Sequence, residues 1–178
     1  MVIDGDGKRV YLDGGGTTRI FDFPDSTNRA TLRGLNIVNG FTTDPAGGSA
    51  IRAQAGIFGE RVTFANNVST TGPGAVLVLG GGSSLDVATF ANNSAPSSAD
   101  VYVANDGYYS SRWSTYAGSS TGSIGTDEGT GAGVSLRSVL LAPLSGPACA
   151  GVVSANNMFV TDDSCDGVAH PDAGLGTF

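Results

Sequence analysis

The sequence predicts an all-β chain wound as a right-handed parallel β-helix of about 26 residues per coil, ending in an irregular C-terminal cap or tail. Three observations predict it. The segments TLRGLNIVNG (31–40), ERVTFANN (60–67) and DVATFANN (86–93) align so that Ile37 matches Phe64 and Phe90, and Asn39 matches Asn66 and Asn92. The intervals are 27 and 26 residues, too long for a hairpin repeat and too short for a domain. Within each segment Leu35 and Ile37 flank Asn36, or Val62 and Phe64 flank Thr63, the period of a strand with one face inward.

One such coil cannot bury enough apolar surface to stand alone, and stacked coils share a core. In register, Ile37, Phe64 and Phe90 form an internal stack. Asn39, Asn66 and Asn92 form a column at the corner after the strand. Asn suits a corner because it tolerates left-handed backbone geometry, bonds the local backbone and ladders amide to amide. TFANN recurs intact, so apolar and turn positions repeat together, which a Gly- and Asn-rich composition alone does not explain.

Taken in order, MVIDGDG opens with a strand end and Asp-Gly turns, and KRVYLD puts Val10 and Leu12 on one face. TRIFDF follows a glycine run, with Ile20 and Phe21 or Phe23 inward. Gly34 bends TLRGLNIVNG between two short strands. A Gly-rich turn before a strand at 47–52 recurs at 72–79, close to the same period. VYV at 101–103 starts another coil, after which the repeat is expected to fail. The predicted division is therefore 1–105 as β-helix coils and 106–178 as an irregular Gly/Ser-rich segment and Cys-bearing tail that packs on or extends them. In that second part VSLRSVLLAPL either packs on the last coil or adds a rung, and SANNMF echoes the FANN corner. Tyr108, Tyr109, Trp113 and Tyr116 have two readings. They cover the open end of the helix, or they bind, since planar aromatics pack on sugar rings and peptides.

The chain of 178 residues suffices for one domain with a sizeable core. Gly is 28 of 178 without a strict third-residue period, which excludes collagen. Charged residues are only 14%, which with many small hydroxylated residues fits a β-rich extracellular chain better than a helical cytosolic enzyme. The net charge is −7, with no basic cluster and no aromatics interleaved with Arg or Lys, so neither nucleic acid nor an anionic membrane is an expected partner. The start lacks the apolar run of a signal peptide and reads as the middle of a domain, and no stretch is long and apolar enough to span a membrane. The expected location is secreted, at the cell surface or in an oxidising lumen. Cys149 and Cys165, sixteen apart, are the candidate disulfide, with free thiols as the alternative. Without nearby His they make a poor metal site.

The order IDGDG, RVYLDG, TRIFDF, TLRGLNIVNG, then Gly-rich-A-I and TFANN units, resembles right-handed parallel β-helix repeat proteins. It is most similar to the secreted passenger domains of chlamydial-type polymorphic outer membrane proteins, in which GG-A-I/V and F-x-x-N units alternate. Phe64–Asn67 and Phe90–Asn93 match the second unit, and Gly47, Gly48, Ala50 and Ile51 match the first. Gly72, Pro73, Gly74 and Ala75 lack the adjacent glycine pair. The resemblance covers about residues 3–105 and implies a secreted or surface module of structural or adhesive kind.

Parallel β-helices also include polysaccharide lyases and glycoside hydrolases, whose carboxylates would come from stacked rungs on one face. Arg33, Glu60 and Asp86 occupy matched positions. That row holds calcium with an acidic sugar, or is a solvated face on which Arg33 pairs with Glu60, a bond of small worth. Calcium is the one cofactor considered, there or at the DGDG run, which lacks the rest of an EF-hand loop. His170 is the only histidine and has no organised partner, and no nucleophile signature or phosphate loop appears. No catalytic residue is assigned. Asn67-Val68-Ser69 and Asn92-Asn93-Ser94 are formal glycosylation sequons. The expected function is a non-catalytic extracellular or lumenal structural or interaction module, adhesin-like or a subunit of a larger assembly, with a protein or surface glycan as partner. A lyase or hydrolase on acidic glycans is the rival. An ice-binding solenoid is third, since Thr42, Thr43, Thr70 and Thr71 fall in loops rather than in a ladder.

Overall fold

The computed structural model describes residues 1–127, 131–151 and 153–165; His170 and the rest of the final segment lie outside them. Among the described residues there is no helix, and three parallel sheets of seven, seven and six strands run the length of the molecule. Each coil passes through the sheets in turn. The second complete coil, for example, uses Ala30–Arg33 in the first sheet, Leu35–Val38 in the second and Ile51–Ala53 in the third. Six coils supply a strand to every sheet and a seventh supplies two, so the fold is a parallel β-solenoid.

Alternation puts every second side chain inside. One inward row of the second sheet is Leu12, Ile37, Phe64, Phe90, Tyr116, Leu141 and Val160. Its rings stack at 4.8 Å (Phe64 on Phe90) and 4.6 Å (Phe90 on Tyr116). The third sheet contributes Ile51, Val76, Val101 and Ile124, each fully buried. Burying a side chain of this size is worth about 1.5–3 kcal/mol, and no coil holds enough of them to fold by itself.

Two corners repeat in left-handed backbone geometry. Gly34, Arg61, Val87, Trp113, Ser138 and Asn157 turn the chain from first to second sheet, all with φ between 52° and 60°. Asn39, Asn66 and Asn92 turn it out of the second sheet at 54–55°, and Gly118 holds the same place in the next coil. The expected boundary at residue 105 is corrected here. Tyr108–Arg112, Thr115–Ala117 and Ile124–Thr126 form a full further coil, and VSLRSVLLAPL supplies Gly133–Arg137 and Leu140–Ala142 of the one after. The repeat continues because geometry asks only for an inward apolar row and a tolerated left-handed corner. Tyr116 and Leu141 serve where Phe stood, and Gly118 where Asn stood. SANN at 154–157 belongs to the other corner, since Asn156 pairs with Arg137 of the first sheet.

The two ends are built differently. At the first coil Ile3, Val10, Leu12, Ile20, Phe21 and Phe23 remain half-buried. A four-residue ion network ties this coil to the next: Arg52 reaches Asp22 (2.6 Å) and Asp44 (2.8 Å), and Arg19 reaches Asp44 (3.1 Å) and Asp22 (3.4 Å). At the other end Asp162 and Ser164 fold back on the edge strand Cys149–Ala150. Ala148 N–H donates to Asp162 Oδ2 (2.9 Å) and Cys149 N–H to Ser164 Oγ (2.9 Å). A disulfide joins Cys149 to Cys165.

Candidate functional site

The outer face of the first sheet carries Arg33, Glu60 and Asp86 in one row, and Tyr108 at its edge. One outward row is Asp4, Arg33, Glu60, Asp86, Arg112, Arg137 and Asn156, set by strand register. Neighbouring members are separated by about 4.8 Å of strand spacing. Arg33 faces Asp4 at 3.8 Å, so the expected Arg33–Glu60 pair is not formed; Glu60 meets Arg61 at 3.3 Å instead. Asp86 accepts from Arg112 Nε (3.1 Å) and NH2 (2.6 Å). These carboxylates are thus each matched with an arginine rather than facing one another across a cleft. The surface between them is a shallow groove of about 360 Å³ lined by Thr31, Arg33, Phe58, Glu60, Asp86 and Arg112.

Two aromatics flank this face. Tyr108 is 48% exposed and begins the strand Tyr108–Arg112; Trp113 is 61% exposed and follows it at the corner. The strand separates them by about 16 Å, at about 3.3 Å per residue. The Arg112 guanidinium lies 5.4 Å from the Trp113 ring centroid, a cation–π contact. The remaining pair is a correction. Tyr109 and Tyr116 point inward, are fully buried and share a hydrogen bond between hydroxyls at 2.6 Å, so they are core rather than binding or end-covering residues. Burial drives both phenols above their ordinary range, so the pair stays protonated.

A second uncharged face lies on the second sheet. Thr63, Thr89 and Thr115 stack outward in one row, and Ala65, Ala91, Ala117 and Ala142 in the next. The repeated TFANN already aligns Thr63 with Thr89 in the sequence; Thr115 joins the row only through the register of the next coil, where TYA replaces TFA.

Inside the following corner the asparagines divide their labour. Asn39, Asn66 and Asn92 set the backbone turn, while the residue after each of the last two forms the amide ladder. Gly40 N–H donates to Asn67 Oδ1 (2.8 Å), Asn67 Nδ2 to Asn93 Oδ1 (3.0 Å), and Asn93 Nδ2 to Asp100 Oδ1 (2.9 Å). Asn67 is fully buried, so glycan attachment there is incompatible with the folded corner; Asn92 is exposed. Outside this corner Asp13 accepts from Gly15 N–H (2.8 Å) and Asn39 Nδ2 (3.0 Å), bonds that hold its carboxyl below the ordinary range.

Among the described residues no cluster of three or more His, Cys, Asp or Glu side chains is placed to hold a metal, and no helix is long and apolar enough to cross a membrane. The Cys149–Cys165 bond fits an oxidising compartment. No protein-family model, curated protein or solved structure matches the chain.

Proposed function

We propose that this solenoid is a non-catalytic, extracellular binding module that takes an extended glycan along the outer face of the first sheet. The observation that carries the reading is the placement of exposed Tyr108 and Trp113 at the two ends of one strand, with Ser110 and Arg112 outward between them. Flat aromatic faces pack on sugar rings, and the serine and arginine between them offer hydrogen bonds to hydroxyls and carboxylates. Glycoside hydrolysis instead asks for two carboxyl groups in distinct environments flanking the bond. Here Glu60 and Asp86 each have an arginine partner, which favours binding over turnover. The resemblance of residues 3–105 to passenger domains of chlamydial-type polymorphic outer membrane proteins supports a secreted, adhesin-like role.

The test is titration of the protein against a panel of neutral and acidic polysaccharides, with and without calcium. Binding that falls at least tenfold in Tyr108→Ala and in Trp113→Asn (Asn suits the left-handed corner), with the melting temperature unchanged, is the expected result. Release of new reducing or unsaturated ends would make the protein an enzyme. Unaltered binding in both variants would move the site elsewhere.

The Thr63–Thr89–Thr115 row beside the alanine row favours a second reading, an ice-binding face. Its hydroxyls repeat at the strand spacing on adjacent coils, with no charged side chain in the row. Inhibition of ice recrystallisation that disappears in Thr89→Glu would establish it, and no inhibition by the wild-type protein would remove it.

A further inference from the structure

Asp100 stands where the rest of its row is small. Strand register aligns it with Ala50 and Ala75 in the preceding coils and with Ser123 and Ala148 in the following ones. Its carboxyl is fully buried at the corner between second and third sheets. Oδ1 terminates the amide ladder by accepting from Asn93 Nδ2 at 2.9 Å, while Oδ2 has no hydrogen-bond partner. Ser119 and Ser123 of the next coil neighbour the carboxyl, yet their hydroxyls bond each other at 3.1 Å.

A carboxylate sealed from water with an orphaned oxygen is costly, and the cheapest remedy is a proton on that oxygen. As a neutral acid Asp100 keeps Oδ1 as an acceptor for Asn93 and offers an Oδ2–H donor toward the two serine hydroxyls. Among the described residues no arginine, lysine or histidine acts on it. The titratable groups that face it across the core are Tyr109 and Tyr116, both protonated phenols. Asp86 acts on Tyr109 from the outer face of the first sheet, and its charge is already met by Arg112.

We infer that Asp100 is a proton-operated latch of the mid-solenoid corner: protonated, it closes the Gly40–Asn67–Asn93 ladder onto the next coil, and ionised, it opens that junction. Burial, the dominant cause, pushes the carboxyl up to about 7, against the opposing pull of the Asn93 bond and of the neighbouring Ser119 and Ser123 hydroxyls. The folded chain therefore holds a proton that the unfolded chain, at an ordinary carboxyl value, releases. Stability from this group is full below the ordinary carboxyl range and is lost as pH rises through neutrality.

The experiment compares unfolding midpoints of the wild-type chain and Asp100→Asn from about pH 5 to about pH 8. Asn has the shape of the neutral acid, with a carbonyl for Asn93 and an amide donor for the serines. The wild-type unfolding constant should rise about a hundredfold over that range, relative to a variant without this dependence. Parallel pH profiles for the two proteins would overturn the latch. Should Asp100→Asn fail to fold, carboxyl carbon NMR of aspartate-labelled wild-type protein decides. One resonance titrating near neutrality upholds the proposal, and all aspartates titrating in the ordinary acidic range overturn it.

Discussion

The two ends of the solenoid solve one problem in opposite ways. A terminal coil presents strand edges whose N–H and C=O groups invite pairing. At the C-terminal side the chain closes its own edge: Asp162 and Ser164 accept the N–H groups of Ala148 and Cys149, and the disulfide fastens the fold-back covalently. At the N-terminal side the coil is anchored sideways, through Arg19, Asp22, Asp44 and Arg52, while Phe21 and Phe23 stay half-open. Among the described residues, the last third-sheet strand is therefore covered by two polar side chains and a disulfide, with no apolar contact of the repeated core needed for those bonds.

Core substitutions sharpen that contrast most. Phe90 packs between Phe64 and Tyr116 in the middle of the stack, and Phe90→Ala should cost about 3–5 kcal/mol of unfolding free energy. Phe23 is half-buried in the first coil, and Phe23→Ala should cost about 1–2 kcal/mol. Denaturant unfolding measures both, and equal losses would mean that the first coil is as tightly held as the middle.

The disulfide comes next. Cys149→Ser with Cys165→Ser releases a loop closed across 16 residues, an expected loss of about 3 kcal/mol, accompanied by faster amide exchange at Ala148 and Cys149. Unchanged exchange at those two amides would show that Asp162 and Ser164 hold the edge without covalent help.

Acidity separates the C-terminal clasp from the middle of the molecule. Partial burial works against the Asp162 charge, but bonds from Ser164 and Ala148 outweigh it and hold the carboxyl below its ordinary range. Its contribution is present above the ordinary carboxyl range and is lost as pH falls through the lowered value, the reverse of Asp100. Exchange at Ala148 should accelerate in acid, and Asp162→Asn should remove the acceleration.

The coil period was legible because two coils keep the same five letters, TFANN, at the second sheet and its corner. Past residue 105 the disulfide pair and the added rung at VSLRSVLLAPL were legible, whereas the full coil at 108–126 was hidden by substitutions that conserve geometry and change chemistry. Tyr116 fills the row of Phe90, Gly118 the corner of Asn92, and Trp113 the corner of Gly34. The binding face was half legible. Arg33, Glu60 and Asp86 follow from the spacing, whereas the inward turn of Tyr109 beside outward Tyr108 depends on where the strand begins. Asp100 carries no sequence signal, since an aspartate before VYV reads as a loop residue until the corner closes around it. Both members of each Asn pair repeat with the same period, so spacing alone does not distinguish the turn residues Asn66 and Asn92 from the ladder residues Asn67 and Asn93.

The smallest effect probes the corner that the sequence disguised. Val87 is β-branched, 46% exposed and held at φ 53°, a backbone region where its branched side chain crowds the chain. Asn157 occupies the same corner column at the same angle, so the turn itself accepts asparagine. Val87→Asn removes the strain without touching the core and should raise stability by about 0.5–1 kcal/mol. If unfolding measurements show a loss instead, the exposed valine is making a contact worth more than its strain. The corner shared by Val87 and Trp113 would then belong to the packed structure rather than to the surface left for a ligand.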